Sequence, residues 1–99
     1  MGRKAKNPRG TYRETAWKRR VVLAKIKVAS GCIDCGYNAH SVALDFDHVE
    51  PSKKLFSISS EIGRHSWDEI MEEVEKCEIR CSNCHRVKTE KARKNHIFF

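Results

Sequence analysis

Two Cys-x-x-Cys pairs, Cys32 with Cys35 and Cys81 with Cys84, set the strongest limit on the architecture of this chain. The 45 residues 36–80 separate the pairs. Each pair can present two sulfur atoms to one edge of a tetrahedron, so two pairs complete a four-cysteine zinc site. A chain of 99 residues buries only roughly 60–65% of its unfolded surface, so its core alone gives marginal stability. We therefore predict one structural zinc ion per chain, held by these four cysteines.

Two alternative roles for the cysteines stay open at the level of sequence. A redox-active dithiol usually accompanies a strand–helix–strand pattern, which is not evident here. Unrelated buried thiols are the second alternative. The fifth cysteine, Cys77, lies four residues before Cys81, and ligand sets that combine Cys77 with Cys81 or Cys84 have less typical spacings. We therefore expect Cys77 to pack as a small apolar residue.

The formal net charge of +7 is unevenly distributed along the chain. Residues 1–27 carry +9, residues 28–60 carry −2, residues 61–79 carry −5 and residues 80–99 carry +5. Two basic ends around an acidic middle favour a polyanionic partner that is contacted at both ends. An anionic membrane surface is the alternative partner for a basic helix.

Membrane insertion and secretion are not expected from the sequence. The chain has no apolar run of about 18 residues, which a transmembrane helix requires. The basic N-terminus lacks the apolar region of a secretory signal. We therefore expect a soluble cytoplasmic protein, a setting in which reduced cysteines commonly hold metals.

The N-terminal third predicts a basic arm followed by a basic helix. Residues 1–11 predict a flexible arm because apolar side chains are almost absent. Residues 12–30 predict a helix that begins with the capping-box spacing of Thr11 and Glu14 and ends before Gly31. Its apolar stripe would comprise Trp17, Val21, Ala24 and Val28. Three basic residues lie off that stripe and are candidates for contacts with DNA phosphates: Lys18, Arg19 and Arg20. The alternative is that this basic face is only solvated.

The rest of the chain predicts a single small α+β domain, residues 12–99. Residues 42–48 alternate apolar and polar side chains, as a strand does, and residues 78–80 predict a brief strand. Ser66 with Glu69 predicts the start of a helix that runs to about residue 77, and a final helix is expected from Ser82 to about Lys94. The first of these helices would pack through the stripe Trp67, Ile70, Met71, Val74 and Cys77. Its acids are expected to face solvent: Asp68, Glu69, Glu72, Glu73 and Glu75.

Three motifs occur in order between about residues 32 and 90. They are C-x2-C at 32–35, L-D-F-D-H-V-x-P at 44–51 and C-x-N-C-H-x-x-K-T at 81–89. Together they resemble the HNH endonuclease family, specifically its small zinc-containing, phage-like members. The resemblance implies a ββα-metal core within a zinc-bound region that spans residues 31–95.

The resemblance also implies roles for the matched residues. Asp47 and His85 would hold one catalytic divalent cation, Mg²⁺ or Mn²⁺, and His48 would be the general base. A histidine that titrates near neutral pH can deprotonate water, and a cation with few protein ligands keeps positions open for a phosphate oxygen. Asn83 would orient the loop that carries His48, or it would merely cap the final helix. Nearby basic residues would neutralise adjacent phosphates: Arg86 and Lys88.

The neighbouring positions of Asp47 and His48 impose a geometric condition on this assignment. Successive side chains of a strand point to opposite faces. Both residues can therefore reach one phosphate only if the strand twists or bulges at its end.

The function implied by the resemblance is metal-dependent hydrolysis of DNA phosphodiester bonds, with low sequence specificity because no separate recognition domain is evident. DNA is then the expected partner, and a phage or host DNA-processing protein is a further candidate. A non-catalytic, zinc-ribbon-like DNA-binding module is the first alternative, but it leaves Asp47, His48 and His85 without a role. The second alternative is an adaptor that binds protein through Trp67 and the C-terminal residues 98–99.

Overall fold

The computed structural model describes residues 8–95, 97 and 98 of the chain. Its elements are helix α1 (Pro8–Ser30), strand β1 (Leu44–His48), helix α2 (Trp67–Glu75), strand β2 (Cys77–Cys81) and helix α3 (Ser82–Ala92). Short 3₁₀ turns at Ser41–Ala43 and Pro51–Lys53 flank β1. The predicted α+β class is confirmed as a small fold of three helices and a two-stranded antiparallel sheet.

Helix α1 is longer than expected, because it begins at Pro8 and not at residue 12. A proline is well suited to a first helical turn, where its missing N–H group needs no partner. Residues 8–11 of the predicted arm are therefore helical and Thr11 is not the cap, while residues 1–7 lie outside the described residues. The C-terminal stop is confirmed: Gly31 has φ +72° and donates its N–H to the carbonyl of Lys27 at 2.8 Å.

Of the predicted packing stripe of α1, Val28 packs against a hydrophobic cluster, but the rest of the inward stripe is displaced by about one residue. Ala16 and Leu23 are buried in the core and Ile26 packs against it, whereas Trp17 is 66% exposed. The inward stripe also contains Arg19, whose guanidinium donates to the carbonyls of Ile62 and His65 at 2.7 and 2.6 Å. An apolar pattern could not identify this stripe, because a hydrogen-bonded arginine occupies its middle.

The sheet gives the site its two chemically distinct faces. Strands β1 and β2 pair antiparallel from Leu44 opposite Cys81 to His48 opposite Cys77, and the five described pairs run in unbroken register. Alternation therefore sends Leu44, Phe46, His48, Cys77, Ile79 and Cys81 to one face. The other face carries Asp45, Asp47, Glu78 and Arg80, which we call the polar face.

Helix α2 begins as predicted, with a complete capping box. Ser66 Oγ accepts a hydrogen bond from the Glu69 N–H at 3.1 Å, and the Glu69 carboxylate accepts one from the Ser66 N–H at 2.9 Å. Its apolar stripe is confirmed, since Ile70 is buried and its other members pack around the same cluster: Trp67, Met71, Val74 and Cys77. One predicted solvent-facing acid is an exception, because Glu73 is only 1% exposed.

Two hydrophobic clusters hold the elements together. The larger one joins α1 and α2 to the segment between β1 and α2, which contributes Ile58 and Ile62. The smaller one surrounds the sheet and contains Cys32, Leu44, Ile79 and Cys81, with Phe46 packed against both clusters. No helix within the described part of the chain has the length and apolar character needed to cross a bilayer.

Candidate metal centre and active site

The four cysteines of the two Cys-x-x-Cys pairs meet at one place. The Sγ atoms of Cys32, Cys35, Cys81 and Cys84 all lie within 4.8 Å of one another. The Sγ atoms of Cys35 and Cys81 are 3.8 Å apart, which is about the edge of a tetrahedron with 2.3 Å metal–sulfur bonds. The group is therefore close enough to hold a metal ion such as zinc, and Cys77 does not belong to it.

Tight backbone turns bring these sulfurs together. In the first turn the Gly36 N–H donates to the carbonyl of Cys32 at 2.8 Å, with Gly36 at φ +80°. In the second, Cys81 ends β2 and caps α3, so its Sγ accepts from the Cys84 N–H at 3.4 Å. Burial would raise the pKa of the Cys32 thiol, but backbone N–H groups around it outweigh burial and lower that pKa to about 6. Such amides stabilise a thiolate, the form of cysteine that binds metal.

Helix α3 follows directly from β2 and lies over the polar face of the sheet, where it places His85 between two carboxylates. Nδ1 of His85 is 2.9 Å from Oδ2 of Asp45. Nε2 of the same ring is 3.4 Å from Oδ1 of Asp47. An ionised carboxylate can only accept, so Asp45 favours the proton on Nδ1. Nε2, the other ring nitrogen, faces Oδ1 of Asp47.

Asp47 is buried and strongly paired. Its Oδ2 atom accepts hydrogen bonds from Arg80 Nη1 and Lys88 Nζ, each at 2.8 Å. Although burial opposes ionisation, these donors from Lys88 and Arg80 hold the pKa of Asp47 below its usual range. Asp47 is therefore a carboxylate in the folded protein, with Oδ2 occupied by cations and Oδ1 turned toward His85.

His48 does not join Asp47 and His85. Because the strand pairing is regular up to His48, the twist or bulge that would bring both side chains to one phosphate is not seen, and His48 points to the opposite face. There Nε2 of its 8% exposed ring lies 2.7 Å from Oε2 of Glu73. The expected meeting of the three residues is thus wrong for this conformation, and the general-base role of His48 stays a prediction.

Glu73 is the centre of this second polar network. Its Oε2 atom also accepts from the Leu55 N–H at 2.9 Å, and its Oε1 accepts from Lys76 Nζ at 2.9 Å. Burial opposes ionisation, yet the hydrogen bonds from Leu55, Lys76 and His48 lower the pKa of the carboxyl to about 2. The network shows why an acid on the apolar side of α2 is tolerated: each of its oxygens has a partner.

Acid is expected to destabilise the fold partly through Glu73. Its pKa is about 2 in the folded protein against an ordinary value of 4.5, so the stabilisation it gives is complete above the ordinary value and is lost as the pH falls toward 2. Glu73→Gln should flatten the pH dependence of the unfolding free energy in that window and cost about 1–3 kcal/mol at neutral pH. Denaturant unfolding at a series of pH values measures both. Parallel curves for wild type and variant would contradict the prediction; Glu72→Gln on the exposed side of α2 is the matched control.

The remaining candidate residues are dispersed. Asn83 is exposed on the first turn of α3 and lines a cavity of about 470 Å³ with Asp34, Arg80 and Lys88. Arg86 lines a different cleft of about 830 Å³ that also borders Asp45 and His85. Asn83 therefore lies near Arg80 on the polar face, whereas His48, whose loop Asn83 was expected to orient, points to the opposite face.

The three predicted DNA contacts of α1 separate into two kinds. Lys18 and Arg20 are exposed, as a phosphate-binding residue requires. Arg19 instead holds two carbonyls of the segment before α2 and lies 5.8 Å from the centre of the Trp67 ring. Its assignment to DNA is corrected, because its guanidinium is engaged in holding α1 to that segment.

Three residues of the site were given no role by the motifs, although Asp45 lies within one of them: Asp45, Asp34 and Arg80. Strand alternation could have indicated Asp45, since it lies two residues before Asp47 and on the same face. Nothing in the local sequence marks Arg80 or Asp34, because they meet only after β2 pairs with β1 and the first cysteine turn folds back on it. No family model, curated protein or solved structure matches this chain.

Proposed function

We propose that this protein is a metal-dependent DNA endonuclease of the HNH type, with Asp47 and His85 holding the catalytic divalent cation. The observation that carries the proposal is the arrangement of His85, whose Nδ1 bonds Asp45 while Nε2 faces Asp47 Oδ1. A carboxylate that fixes the tautomer and orientation of a histidine is a common feature of metal ligation. Strands β1 and β2 pair antiparallel and α3 follows β2 directly, which is the arrangement that a ββα-metal core needs, although α2 lies between the two strands along the chain.

The Asp47–His85 pair fits a hard divalent cation. Two neighbouring ligands of an octahedral ion at 2.0–2.1 Å are about 3 Å apart, and the facing oxygen and nitrogen atoms are 3.4 Å apart. Four carboxylates lie around the polar face, and their ion pairs are with Arg80, Lys88 and His85: Asp34, Asp45, Asp47 and Glu78. Lys27 and Lys91 also act on Asp45 and Asp34, so the support for a cation is the hard oxygen ligands and not a net negative charge.

Divalent Mg²⁺ or Mn²⁺ bound there would polarise a phosphoryl oxygen and lower the pKa of a bound water. Asp47 would supply one anionic oxygen and His85 one neutral nitrogen, so most positions on the ion would stay available for substrate and water. Lys88, one turn after His85 on α3, would neutralise a phosphate bound beside the pair. His48 would serve as general base only if the end of β1 rearranges so that its ring leaves Glu73.

We assign zinc to the four-cysteine site, in a purely structural role. Four thiolates fill a tetrahedral zinc shell, so no position is left for a substrate. The site ties the segment before β1 to the junction of β2 and α3, and this junction sets the position of His85. Zinc would thereby maintain the active-site geometry without contacting the substrate.

Contacts with the DNA backbone are assigned to the exposed basic residues of α1. Replacing Lys18 and Arg20 together with Ala should lower affinity about equally for unrelated DNA sequences. The slope of log affinity against log salt should become shallower by about 1 for each lost phosphate contact. Binding measured at several salt concentrations checks this. The matched control replaces the exposed Lys53 and Lys54 of the loop after β1, and an equal loss in both double variants would assign the effect to net charge alone.

A non-catalytic DNA-binding module is the second candidate function, and one observation favours it: Arg80 and Lys88 both donate to Oδ2 of Asp47 and so neutralise the charge of this carboxylate. The adaptor hypothesis has less support, because Trp67 packs against the core beneath Arg19. Of its C-terminal pair, Phe98 is half exposed and Phe99 lies outside the described residues.

Nicking of supercoiled plasmid DNA separates these functions. The nuclease proposal expects relaxation of the plasmid with Mg²⁺ or Mn²⁺ and none after a chelator removes the divalent cation while zinc remains bound. DNA binding measured on the same samples provides the comparison. Binding without nicking under any of these metal conditions would favour the DNA-binding module.

A further inference from the structure

Arg80 links the four-cysteine site to the Asp47–His85 pair. It is 8% exposed and bridges two carboxylates from different parts of the chain. Nε and Nη2 donate to the two oxygens of Asp34 at 2.6 and 3.4 Å, and Nη1 donates to Oδ2 of Asp47 at 2.8 Å. Asp34 lies inside the first cysteine turn, between Cys32 and Cys35. One side chain therefore spans the distance from that turn to the candidate catalytic carboxylate.

The shape of the guanidinium makes this link directional. Its donors form a rigid planar fork, so two contacts on one edge fix the direction of the third donor. With Asp34 on the Nε and Nη2 edge, Nη1 is aimed at Oδ2 of Asp47. Oδ1 of the same carboxylate is then turned toward Nε2 of His85. Lysine could supply the charge of Arg80 but not this geometry.

We propose that Asp34 and Arg80 are positioning residues that transmit the geometry of the first cysteine turn to Asp47, and so set the affinity of the Asp47–His85 pair for its divalent cation. The inference rests on the proposed function, because it presumes that this pair binds a cation. It adds that an intact cysteine turn is required for tight cation binding even though no cysteine contacts the cation.

A simple effect of charge would also change cation affinity when Asp34 is replaced. Removing a carboxylate from this region weakens the attraction for a cation whatever the geometry. Glu78 separates the effect of charge from that of geometry, since it also accepts from Arg80, at 3.1 Å, and lies directly opposite Asp47 in the sheet. Glu78 shares Nη1 with Asp47, so losing it leaves the Asp34 edge of the fork intact. Glu78→Gln and Asp34→Asn therefore make the same chemical change with different expected results.

The test is Mn²⁺ affinity of the zinc-loaded protein, measured by calorimetry for wild type, Asp34→Asn, Arg80→Lys and Glu78→Gln. Residues that orient metal ligands typically change metal affinity by about 10–100-fold, so Arg80→Lys should weaken binding about 10-fold. Asp34→Asn should weaken it less than Arg80→Lys but clearly more than Glu78→Gln, whose smaller loss measures the effect of charge alone. Zinc content and thermal unfolding are recorded for each variant, because a purely structural role would change these before it changed Mn²⁺ affinity.

The outcomes distinguish the inference from the function on which it rests. Equal losses in Asp34→Asn and Glu78→Gln, or wild-type affinity in Asp34→Asn and Arg80→Lys, would overturn the positioning role and leave the nuclease proposal intact. Failure of the wild-type protein to bind Mn²⁺ would overturn both. If Arg80→Lys does not fold, Asp34→Asn still tests the proposal. The Asp34 side chain is 46% exposed, so an amide of the same size should be tolerated there.

Discussion

Replacing Cys35 with Ser is expected to release the structural metal ion and to abolish cooperative unfolding of the domain. Binding of structural zinc contributes about 10–16 kcal/mol in small metal-dependent domains. That is comparable to the whole stability of a typical domain, about 5–15 kcal/mol. The same result is expected for the other three ligands, because each supplies one corner of the same tetrahedron. Elemental analysis and circular dichroism during heating measure the two effects.

Cys77→Ser is the matched control for this prediction. Cys77 lies outside the four-cysteine group and donates only a weak S–H hydrogen bond to the Glu73 carbonyl at 3.4 Å. Its replacement should leave one zinc ion per chain and a cooperative unfolding transition. A zinc-free Cys35→Ser protein that still unfolds cooperatively, at a temperature close to that of wild type, would show that the metal is not what stabilises the fold.

Asp47→Asn and His85→Ala are each expected to lower the rate of plasmid cleavage by at least about 10²-fold. A catalytic cation supplies several kcal/mol of transition-state stabilisation, and each 1.36 kcal/mol corresponds to a factor of ten in rate. Asparagine keeps the size of Asp47 and an oxygen for Arg80 while it removes the charge that attracts the cation. Because these changes weaken binding of the cation, high Mn²⁺ concentrations should partly restore activity.

His40→Ala is the control for the histidine substitution, since His40 is exposed in the loop before β1. It should retain wild-type cleavage at every Mn²⁺ concentration. Zinc content should be unchanged in all of these variants, so that loss of activity is not loss of fold. Full activity in both Asp47→Asn and His85→Ala would contradict the assignment of the catalytic centre.

Local patterns in the sequence predicted the features that depend on a few neighbouring residues. The capping box of Ser66 and Glu69 is a contact over three positions, and the stop at Gly31 is a property of one residue. The two Cys-x-x-Cys turns are also local, and their mutual proximity followed because four metal ligands are needed at one point. In each of these cases the residue types themselves determine the local backbone geometry.

The start of α1 at Pro8 is a local feature that sequence did not predict, but the unpredicted features of the core and the site depend on pairing between distant segments. Glu73 is buried because His48, Lys76 and the Leu55 N–H together complete its hydrogen bonds. Arg19 is inward because two carbonyls about 43 and 46 positions away accept from it. From sequence alone, an acidic residue on α2 and a basic residue on α1 are both expected to be exposed to solvent, because their partners lie far away along the chain. The same holds for Arg80, which joins Asp34 to Asp47 only in the folded chain.

Mn²⁺ binding to the zinc-loaded protein tests most directly whether Asp47 and His85 form a divalent-cation site. Calorimetric titration of wild type, Asp47→Asn, His85→Ala and His40→Ala gives the number of ions bound and their affinity. We predict one Mn²⁺ ion per chain in wild type and in His40→Ala, with binding lost or greatly weakened in the other two variants. A wild-type protein that binds no Mn²⁺, or one whose binding is unchanged by both Asp47→Asn and His85→Ala, would contradict the assignment of this pair as the cation site.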